Sequence, residues 1–385
     1  MKVLVLSSGS YKSILALRVI ALSQNLAKSG ANVTLIAPAA DKYNNFTPDT
    51  KPVLEGVRVV QPWQFTTKSA VLNLVPYLFT SLVATLRIRS DVIFLCKPTP
   101  ITVMGLMPRL LFRTPVILDL DDLGSEVMKS QKQSKVQYML VSWSERIATR
   151  YATGIVVASS YLETLVKEKY PNKDVVVVPN GVEPADYPVV KMEKSRHAIY
   201  YFGAINRISL IETLLRALPS VIAAVPDTQV TIVGGGSALN EAKHIVETLA
   251  LTRSVTFTGW VDFLDIIKYV KPADIAICYQ PDTPTVRAAS NMKVFQYMAM
   301  GSVPVVSDVG DLSTYVDHGR RGAVVSPDDV DQLAKTLVTL LKDEKTRITL
   351  AKRARRAAET EYSWIEHARK LTHFMQDQMT KKERS

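Results

Sequence analysis

The residues with the clearest chemical potential lie between Ser290 and Asp308, in the stretch SNMKVFQYMAMGSVPVVSD. Ser290 is a good N-cap and Gly301 suits the left-handed position that ends a helix, so the pattern predicts a helix here, followed by a buried strand. The free N–H groups at the start of this helix, its dipole and Lys293 in its first turn would bind an anion. Gln296 lies one turn further along the same face, so a diphosphate that carries a ribose would suit the site. The alternative is a capped core helix with a solvated Lys293.

Three carboxylates, Asp119, Asp121 and Asp122, close the predicted strand PVILDLDD. Open α/β folds bind ligands at the carboxyl ends of parallel strands, so one of these acids would contact a substrate hydroxyl or handle a proton. The alternative is that they cap the next helix. Because three acids in four residues are costly to bury without partners, we favour the functional interpretation.

The turn SSGS at residues 7–10 follows the first predicted strand. Gly9 and Ser10 are small enough for a ligand to approach the backbone there, although the spaced glycines of a dinucleotide fingerprint are missing. The turn therefore either lines a ligand site or is an ordinary tight turn.

The elements that would position these residues alternate between strands and helices, and the alternation occurs twice. A strand, a helix and a second strand over residues 2–38 predict a parallel sheet. A polar, irregular stretch at residues 183–196 interrupts the pattern, which restarts at His197. We therefore predict an α/β fold with two Rossmann-like, doubly wound domains at residues 1–185 and 186–360, whose strand ends face a central cleft.

The composition and net charge of the chain limit the classes of partner that it could bind. The 385 residues are 47% apolar and carry a formal charge of +11, which favours phosphorylated substrates, an acidic membrane surface or nucleic acid. The chain lacks the basic, aromatic-interleaved motif of nucleic-acid binders, so we expect no nucleic-acid partner. Cys96 and Cys278 sit in apolar, strand-like runs, so we expect them to be reduced and buried, and no metal-ligand spacing is present.

Two predicted helices, at residues 70–89 and 101–112, combine apolar residues with basic ones. They would form a surface that lies on an anionic bilayer, or they would cover the sheet and leave their cations solvated. Residues 70–86 are too interrupted for a spanning helix, and the first ten residues are too short for a signal peptide, so we predict a cytoplasmic location. The basic residues concerned are Lys68, Arg87, Arg89, Arg109 and Arg113.

Six segments, taken in order, resemble the GT-B glycosyltransferases, and specifically family 4. They read VVPNGVE, YFGAINR, VTIVGGG, VTFTGWV, PADIAICY and NMKVFQYMAMGSVPVVSDVGD, and the resemblance covers nearly the whole chain. Members of this family move a sugar from a nucleotide diphosphate or similar donor with retention. The resemblance implies that the first domain binds the acceptor and the second the donor, and that the helix in residues 361–385 packs back on the first domain.

The resemblance also implies donor-site residues. Lys293 would meet the donor diphosphate, aided by the helix that starts near Asn291, after Ser290. Arg207 is the remaining member of the family's basic pair and would contact the same group. The strand-end glycines Gly203 and Gly234 would lie at this site.

The two-glutamate motif of the family is altered here. Gln296 stands where the second glutamate binds ribose hydroxyls, and its amide oxygen would accept the same bond. Ala288 stands where the first glutamate would lie.

On the acceptor side, Asp121 stands where the family has a histidine, and it would orient the acceptor hydroxyl. Asp119, Asp122, Gly9 and Ser10 would lie nearby. The leaving phosphate would take the acceptor proton, and Lys293 and Arg207 would stabilise the departing diphosphate. The resemblance implies no metal and no cofactor, since the nucleotide sugar is a substrate.

The leading hypothesis is thus a glycosyltransferase that acts on a glycan or a lipid-linked acceptor in the synthesis of cell-surface polysaccharide, glycolipid or glycoprotein. Transient contact with the inner face of the cell membrane would fit its basic surface. The alternatives are a sugar-nucleotide epimerase or hydrolase on the same fold and a non-catalytic GT-B scaffold.

Overall fold

The computed structural model describes residues 1–9, 17–38, 54–61, 70–122, 135–188, 197–207, 211–261, 263–270 and 274–383. The chain forms two compact units, one of residues Met1–Asn180 with Trp364–Ser385 and the other of Gly181–Ser363. Among the residues described, no helix has both the length and the apolar character needed to cross a bilayer.

The first unit is built on parallel strands that are apolar and largely buried, as expected of a sheet covered on both faces. These strands are β1 Lys2–Ser7, β2 Asn32–Ile36, β3 Val57–Val60, β4 Val92–Cys96, β5 Val116–Leu120, β6 Gly154–Val157 and β7 Asp174–Val177. They form one seven-stranded sheet in the order β3-β2-β1-β4-β5-β6-β7. The chain therefore moves outward from β1 to β3 and reverses direction at β4.

The helices of this unit are α1 Leu17–Lys28, α2 Ala70–Arg87, α3 Met107–Phe112, α4 Lys135–Tyr151 and α5 Ser160–Lys169. The helix predicted at residues 101–112 is a 3₁₀ segment, Thr102–Leu106, followed by the shorter α3. A side chain at Gly105 would overlap Leu6 of the sheet, which shows how closely this segment packs on the strands. Helices α2, α3 and α4 all contact this 3₁₀ segment.

The second unit repeats the arrangement with six parallel strands. They are β8 Ala198–Phe202, β9 Gln229–Val233, β10 Val255–Gly259, β11 Ile275–Cys278, β12 Val303–Ser307 and β13 Ala323–Val325, in the order β10-β9-β8-β11-β12-β13. The two sheets confirm the predicted fold class of two Rossmann-like, doubly wound domains. In this unit the reversal falls between β8 and β11.

The helices of the second unit include two short ones that the sequence pattern does not predict, α8 and α10. The full set is α6 Glu212–Ala224, α7 Leu239–Thr248, α8 Pro284–Ala288, α9 Met292–Ala299, α10 Leu312–Tyr315, α11 Val330–Lys342 and α12 Glu344–Thr360. A short 3₁₀ segment, Phe263–Lys268, lies between β10 and β11. Segments of this length are too short for apolar periodicity to reveal.

The last helix, α13 Trp364–Glu383, belongs to the first unit and packs on α1. Its buried face includes Leu371 and Met375. His367 on the same helix is 5% exposed, and its Nε2 lies 3.2 Å from the carbonyl oxygen of Asn180. Burial, with a smaller contribution from Arg18, lowers the pKa of His367 to about 4.

This buried histidine predicts a pH dependence of stability. The unfolded chain binds a proton at His367 below about pH 6.5, whereas the folded chain does not until about pH 4. The free energy of unfolding should therefore fall by about 3 kcal/mol, through this residue alone, as the pH is lowered from about 6.5 to about 4. Urea unfolding of the wild type and of His367→Gln across this range measures the difference. Parallel pH curves for the two proteins would contradict the assignment.

Candidate active site

The N-terminus of α9 is the centre of the candidate site in the second unit. Asn291 caps the helix, and its Oδ1 accepts a hydrogen bond from the Lys293 backbone N–H at 3.2 Å. This corrects the prediction of Ser290 as the cap. Ser290 is buried instead, with its Oγ 3.1 Å from the Tyr315 hydroxyl, which donates to it. Serine and asparagine are both good caps, so composition alone does not separate two adjacent candidates.

The Lys293 side chain lies across the end of β8. A Cβ atom built on Gly203 would be 2.6 Å from the Lys293 Cε and would overlap its Nζ. The Nζ also lies 5.0 Å from the centre of the Tyr201 ring, a cation–π contact. Glycine at position 203 is thus what leaves room for the lysine.

The Lys293 ammonium has no carboxylate partner among the ion pairs of the described residues. Burial lowers the pKa of the Lys293 amine from its usual 10.5, and nearby Cys278 offsets this only in part. The same burial raises the pKa of the Cys278 thiol to about 12, so Cys278 is a neutral thiol at neutral pH. A half-buried cation without an anion is unfavourable, and a bound phosphate would stabilise it.

Backbone contacts between two strand ends complete this region. The Gly203 N–H donates to the Val233 carbonyl at 2.9 Å, and the Ile205 N–H to the Gly235 carbonyl at 2.8 Å. Gly234 has a φ of +130°, and a Cβ atom there would overlap the Gly203 carbonyl oxygen. The glycine turn after β9 therefore lies directly against the loop after β8, because neither Gly234 nor Gly203 carries a side chain.

The sheet topology explains why these residues meet. Gly203 follows β8, Gly234 follows β9, and α9 with Lys293 follows β11 through α8. The reversal between β8 and β11 creates a crevice at the carboxyl ends of the strands, where open α/β folds bind ligands. Of the predicted donor-site residues, the structure thus brings Lys293, Gly203 and Gly234 together.

Two other predicted donor-site residues are placed differently. Arg207 is exposed in the loop after β8, and it takes part in none of the ion pairs in the described part of the chain. Gln296 is 5% exposed, and its side chain shares a hydrogen bond with the Tyr187 hydroxyl. Tyr187 is itself held through its carbonyl, which accepts from Arg355 Nη1 at 2.8 Å. A ribose would have to exchange the Tyr187 bond, so the ribose-binding role of Gln296 stays a prediction.

In the first unit, Asp119 does not fit its predicted place on the acceptor side. Its carboxylate is 1% exposed and forms a two-pronged ion pair with Arg18, with Nη2–Oδ1 at 2.8 Å and Nε–Oδ2 at 3.1 Å. Arg18 also donates to the carbonyl of Val178 at 2.8 Å and to that of Pro179 at 3.1 Å. Asp119 therefore joins α1, β5 and the chain after β7. No local pattern reveals this, because Arg18 is 101 residues away in the sequence.

Asp121 and Asp122 share one ammonium that sequence reasoning missed. Lys97 Nζ lies 3.3 Å from Asp121 Oδ2 and 3.7 Å from Asp122 Oδ2. Burial lowers the pKa of Lys97, but the two carboxylates outweigh it and the pKa is raised. Burial and then Asp121 raise the pKa of Asp122, against the opposing effect of Lys97. The sequence feature that could have revealed this contact is that Lys97 directly follows β4, the strand that neighbours β5.

The turn after β1 lies at the same edge of this sheet. The Gly9 N–H donates to Ser7 Oγ at 3.2 Å, and the hydroxyl of Ser7 lies 3.2 Å from the Gly9 carbonyl oxygen, to which it donates. Ser10, the other predicted residue of this turn, lies outside the described residues. Because β1, β4 and β5 are neighbours and parallel, Gly9, Lys97 and Asp121 all follow strand carboxyl ends at the first unit's reversal point.

Comparison with known protein families assigns both units. A family model described as "Glycosyltransferase Family 4" matches residues 15–186, and one described as "Glycosyl transferases group 1" matches residues 196–343. Together the two models span most of both units, including Lys293, Gly203 and Asp121.

Several curated relatives are glycosyltransferases. The phosphatidyl-myo-inositol mannosyltransferase of Mycolicibacterium smegmatis is 26% identical over 232 residues, which cover 59% of this chain and 56% of the relative. An uncharacterized glycosyltransferase of Methanocaldococcus jannaschii is 23% identical over 235 residues, covering 57% of this chain and 59% of that protein. The chain thus spans a little more than half the length of these two relatives.

Solved structures share the fold over nearly the whole chain. Sucrose-phosphate synthase from Thermosynechococcus elongatus superposes with a TM-score of 0.73 and 18% identity, over 98% of each chain. HepE of Anabaena, solved with UDP-glucose, superposes with a TM-score of 0.70 and 17% identity, over 98% of this chain and 100% of HepE. The two family models show that the chain belongs to the family 4, group 1 glycosyltransferases, and the two doubly wound sheets with these superpositions show that it has the GT-B fold.

Proposed function

We propose that the second unit binds a nucleotide-sugar donor through Lys293, and that the first unit binds a glycan or lipid-linked acceptor that receives the sugar with retention. The observation that carries this proposal is the Lys293 ammonium, held against Gly203 at a strand-end crevice without a carboxylate partner among the described residues. A donor diphosphate bound there would place its negative charge against this ammonium. The same ammonium would stabilise the charge that grows on the diphosphate as it departs.

The chemistry on the donor side is electrostatic. The bond between the sugar carbon and the diphosphate oxygen breaks, and negative charge grows on the departing diphosphate. Lys293 and the positive end of the α9 dipole stabilise this charge. Arg207, exposed after β8, adds a second cation from its loop. The acceptor oxygen bonds to the sugar carbon, and its proton passes to the leaving phosphate oxygen.

On the acceptor side, Asp121 accepts a hydrogen bond from the acceptor hydroxyl. Its side chain is 17% exposed, so it is accessible while Lys97 holds it in place. Asp122 and Gly9 contribute the surrounding surface. Asp119 stays in the core and acts only through the position of β5.

We further propose that the first unit contacts the inner face of the cell membrane and that the acceptor belongs to cell-surface polysaccharide, glycolipid or glycoprotein synthesis. Large apolar side chains that are mostly exposed lie on α2, α3 and α4, which are neighbours around the 3₁₀ segment. A named acceptor lipid in the mycobacterial relative, phosphatidyl-myo-inositol, supports a lipid-linked substrate. The side chains, called the apolar patch below, are Phe79, Leu110, Leu111, Phe112, Val136, Met139, Leu140 and Trp143.

Gly203→Ala tests the contact that places the lysine. The new methyl group would overlap Lys293 Nζ, so we expect the KM for the donor to rise at least about tenfold, equivalent to the loss of one charge-assisted hydrogen bond. Gly319→Ala is the matched control, since Gly319 also has a positive φ, +97°, but nothing lies within 4 Å of its Cβ position. Equal changes in KM for the two variants would show that backbone strain alone is responsible.

Incubation of the purified protein with a panel of labelled nucleotide sugars tests the function itself. Transfer of label to a lipid extract or glycan supports the proposal, and NMR of the product gives the anomeric outcome. Release of free sugar without an acceptor would instead favour a hydrolase. Donor binding without turnover in any extract would favour a non-catalytic scaffold.

A further inference from the structure

A wide basic groove lies on the first unit at the amino ends of β5, β6 and β7. This is the sheet edge opposite to Asp121, because the three strands are parallel. The groove has a volume of about 1170 Å³ and is lined by the ends of α3, α4 and α5 and by α13. Five of its lining residues are cations, and none of the described lining residues is a carboxylate. The cations are Arg109, Arg113, Lys169, Lys173 and Lys381.

Two of these cations are already occupied. Lys173 Nζ donates to the carbonyl oxygens of Arg150 at 2.8 Å and Ala152 at 2.5 Å, at the end of α4. Lys381 Nζ lies 2.7 Å from Asp174 Oδ2, just outside the groove. Both lysines therefore form part of the groove wall, but their charges are less available to a bound anion.

The other three cations lack such partners. Arg109, Arg113 and Lys169 take part in none of the ion pairs between described residues. Burial and then the proximity of Arg109 lower the pKa of Lys173, so the groove brings like charges together. An anion bound between them would relieve this repulsion.

The groove is continuous with the apolar patch. Arg109 and Arg113 flank Leu110, Leu111 and Phe112, which are 64%, 58% and 62% exposed. Leu110 also lines the groove, as does Tyr151 at the end of α4. Exposed apolar side chains between two phosphate-binding arginines match a bilayer surface, where acyl chains and phosphates lie side by side.

We propose that the basic groove binds the phosphate-bearing headgroup of an anionic phospholipid while the apolar patch inserts into the acyl region beside it. A soluble polyanion would use the cations but not the apolar side chains next to them. The proposal rests on the membrane contact in the proposed function and names its lipid-binding site. Headgroup binding at this edge leaves the opposite edge, with Asp121 and Gly9, free for the acceptor.

Vesicle co-sedimentation of the full chain tests the site. We expect binding to vesicles of equal parts phosphatidylcholine and phosphatidylglycerol, and much weaker binding to phosphatidylcholine alone. Arg109→Glu with Arg113→Glu should weaken binding to the anionic vesicles by about 30-fold or more, because each arginine near an anionic surface contributes about fivefold. The matched control is Lys352→Glu with Arg353→Glu, two exposed cations of α12 in the second unit that make the same charge change outside both the groove lining and the apolar patch. Equal losses in the two double variants would overturn the groove as a site.

Two further measurements distinguish a lipid headgroup from free phosphate as the ligand of the groove. They also distinguish failure of the lipid site from failure of the proposed function. Leu111→Ser with Phe112→Ser should lose vesicle binding but keep binding of soluble glycerophosphoglycerol, which the groove variant should lose. Release of the wild type from vesicles by millimolar inorganic phosphate would contradict a lipid site. Transfer to a soluble acceptor without vesicles should be unchanged in the groove variant. Vesicle binding without any transfer by the wild type would leave the groove intact and refute the proposed function.

Discussion

Replacing Lys293 with alanine is expected to lower kcat/KM for sugar transfer by about 10²–10³-fold, the usual loss on removal of a preorganised charge from a reacting group. The ammonium lies against Gly203 with its Nζ 5.0 Å from the Tyr201 ring, so its position is set before the donor binds. It has no carboxylate partner among the described residues, so its charge is available to the diphosphate. Initial rates at subsaturating donor measure the effect.

The control for this prediction is Lys352→Ala, which removes an equal charge from the exposed face of α12 in the same unit. We expect that variant to keep its activity within about twofold, because exposed charges are screened by solvent and salt. Activity of Lys293→Ala near that of the wild type would remove this lysine from the mechanism.

Replacing Asp119 with alanine is expected to destabilise the first unit by about 3–5 kcal/mol. The change leaves the Arg18 guanidinium, 3% exposed, without its carboxylate in the core. The remaining bonds of Arg18 to the carbonyls of Val178 and Pro179 do not neutralise its charge. Urea unfolding, followed by a signal from the first unit, measures the loss.

The neighbouring carboxylate provides the contrast. Asp121→Ala breaks only a partly exposed pair with Lys97, so we expect a loss of about 1 kcal/mol or less in stability, together with weaker acceptor use. The two acids of one strand end would thus separate into a structural and a functional residue. If Asp119→Ala unfolded like the wild type but failed to transfer sugar, its assignment to the core would be wrong.

The fold could be predicted because the signals for it are local and repeated. Apolar runs such as Val92–Cys96 and Ile275–Cys278 are buried along their whole length, and helices of ordinary spacing separate them. Parallel order then follows from the length of each crossover. The helix with Lys293 could be predicted for the same reason, since its body and its terminal glycine lie within one short stretch, but its cap is Asn291 and not the predicted Ser290.

The parts that could not be predicted depend on partners far away in the sequence. Asp119 is an ordinary acid in its own segment, and only Arg18 makes it a core residue. Gln296 lies one turn from Lys293, but the Tyr187 hydroxyl determines how its amide is used. Periodicity reports which residues share a helix face and not what that face contacts.

The exposure of the apolar patch could not be predicted from periodicity either. Helix α4 is recognisable as amphipathic, and the natural expectation is that its apolar residues face the sheet. Instead Val136, Met139 and Trp143 are 66%, 67% and 53% exposed. Buried Ser144 and Ala148 lie on a different face of the same helix. Small residues pack against the unit here, and the large apolar ones remain outside, which is why we assign them to a bilayer.

A crystal structure with a bound nucleoside diphosphate, such as UDP or GDP, tests the central claim most directly. The account predicts a diphosphate oxygen within hydrogen-bonding distance of Lys293 Nζ, about 2.7–2.9 Å, next to Gly203 at the end of β8. A diphosphate bound elsewhere, with Lys293 still resting on the Tyr201 ring and far from any phosphate oxygen, would contradict it.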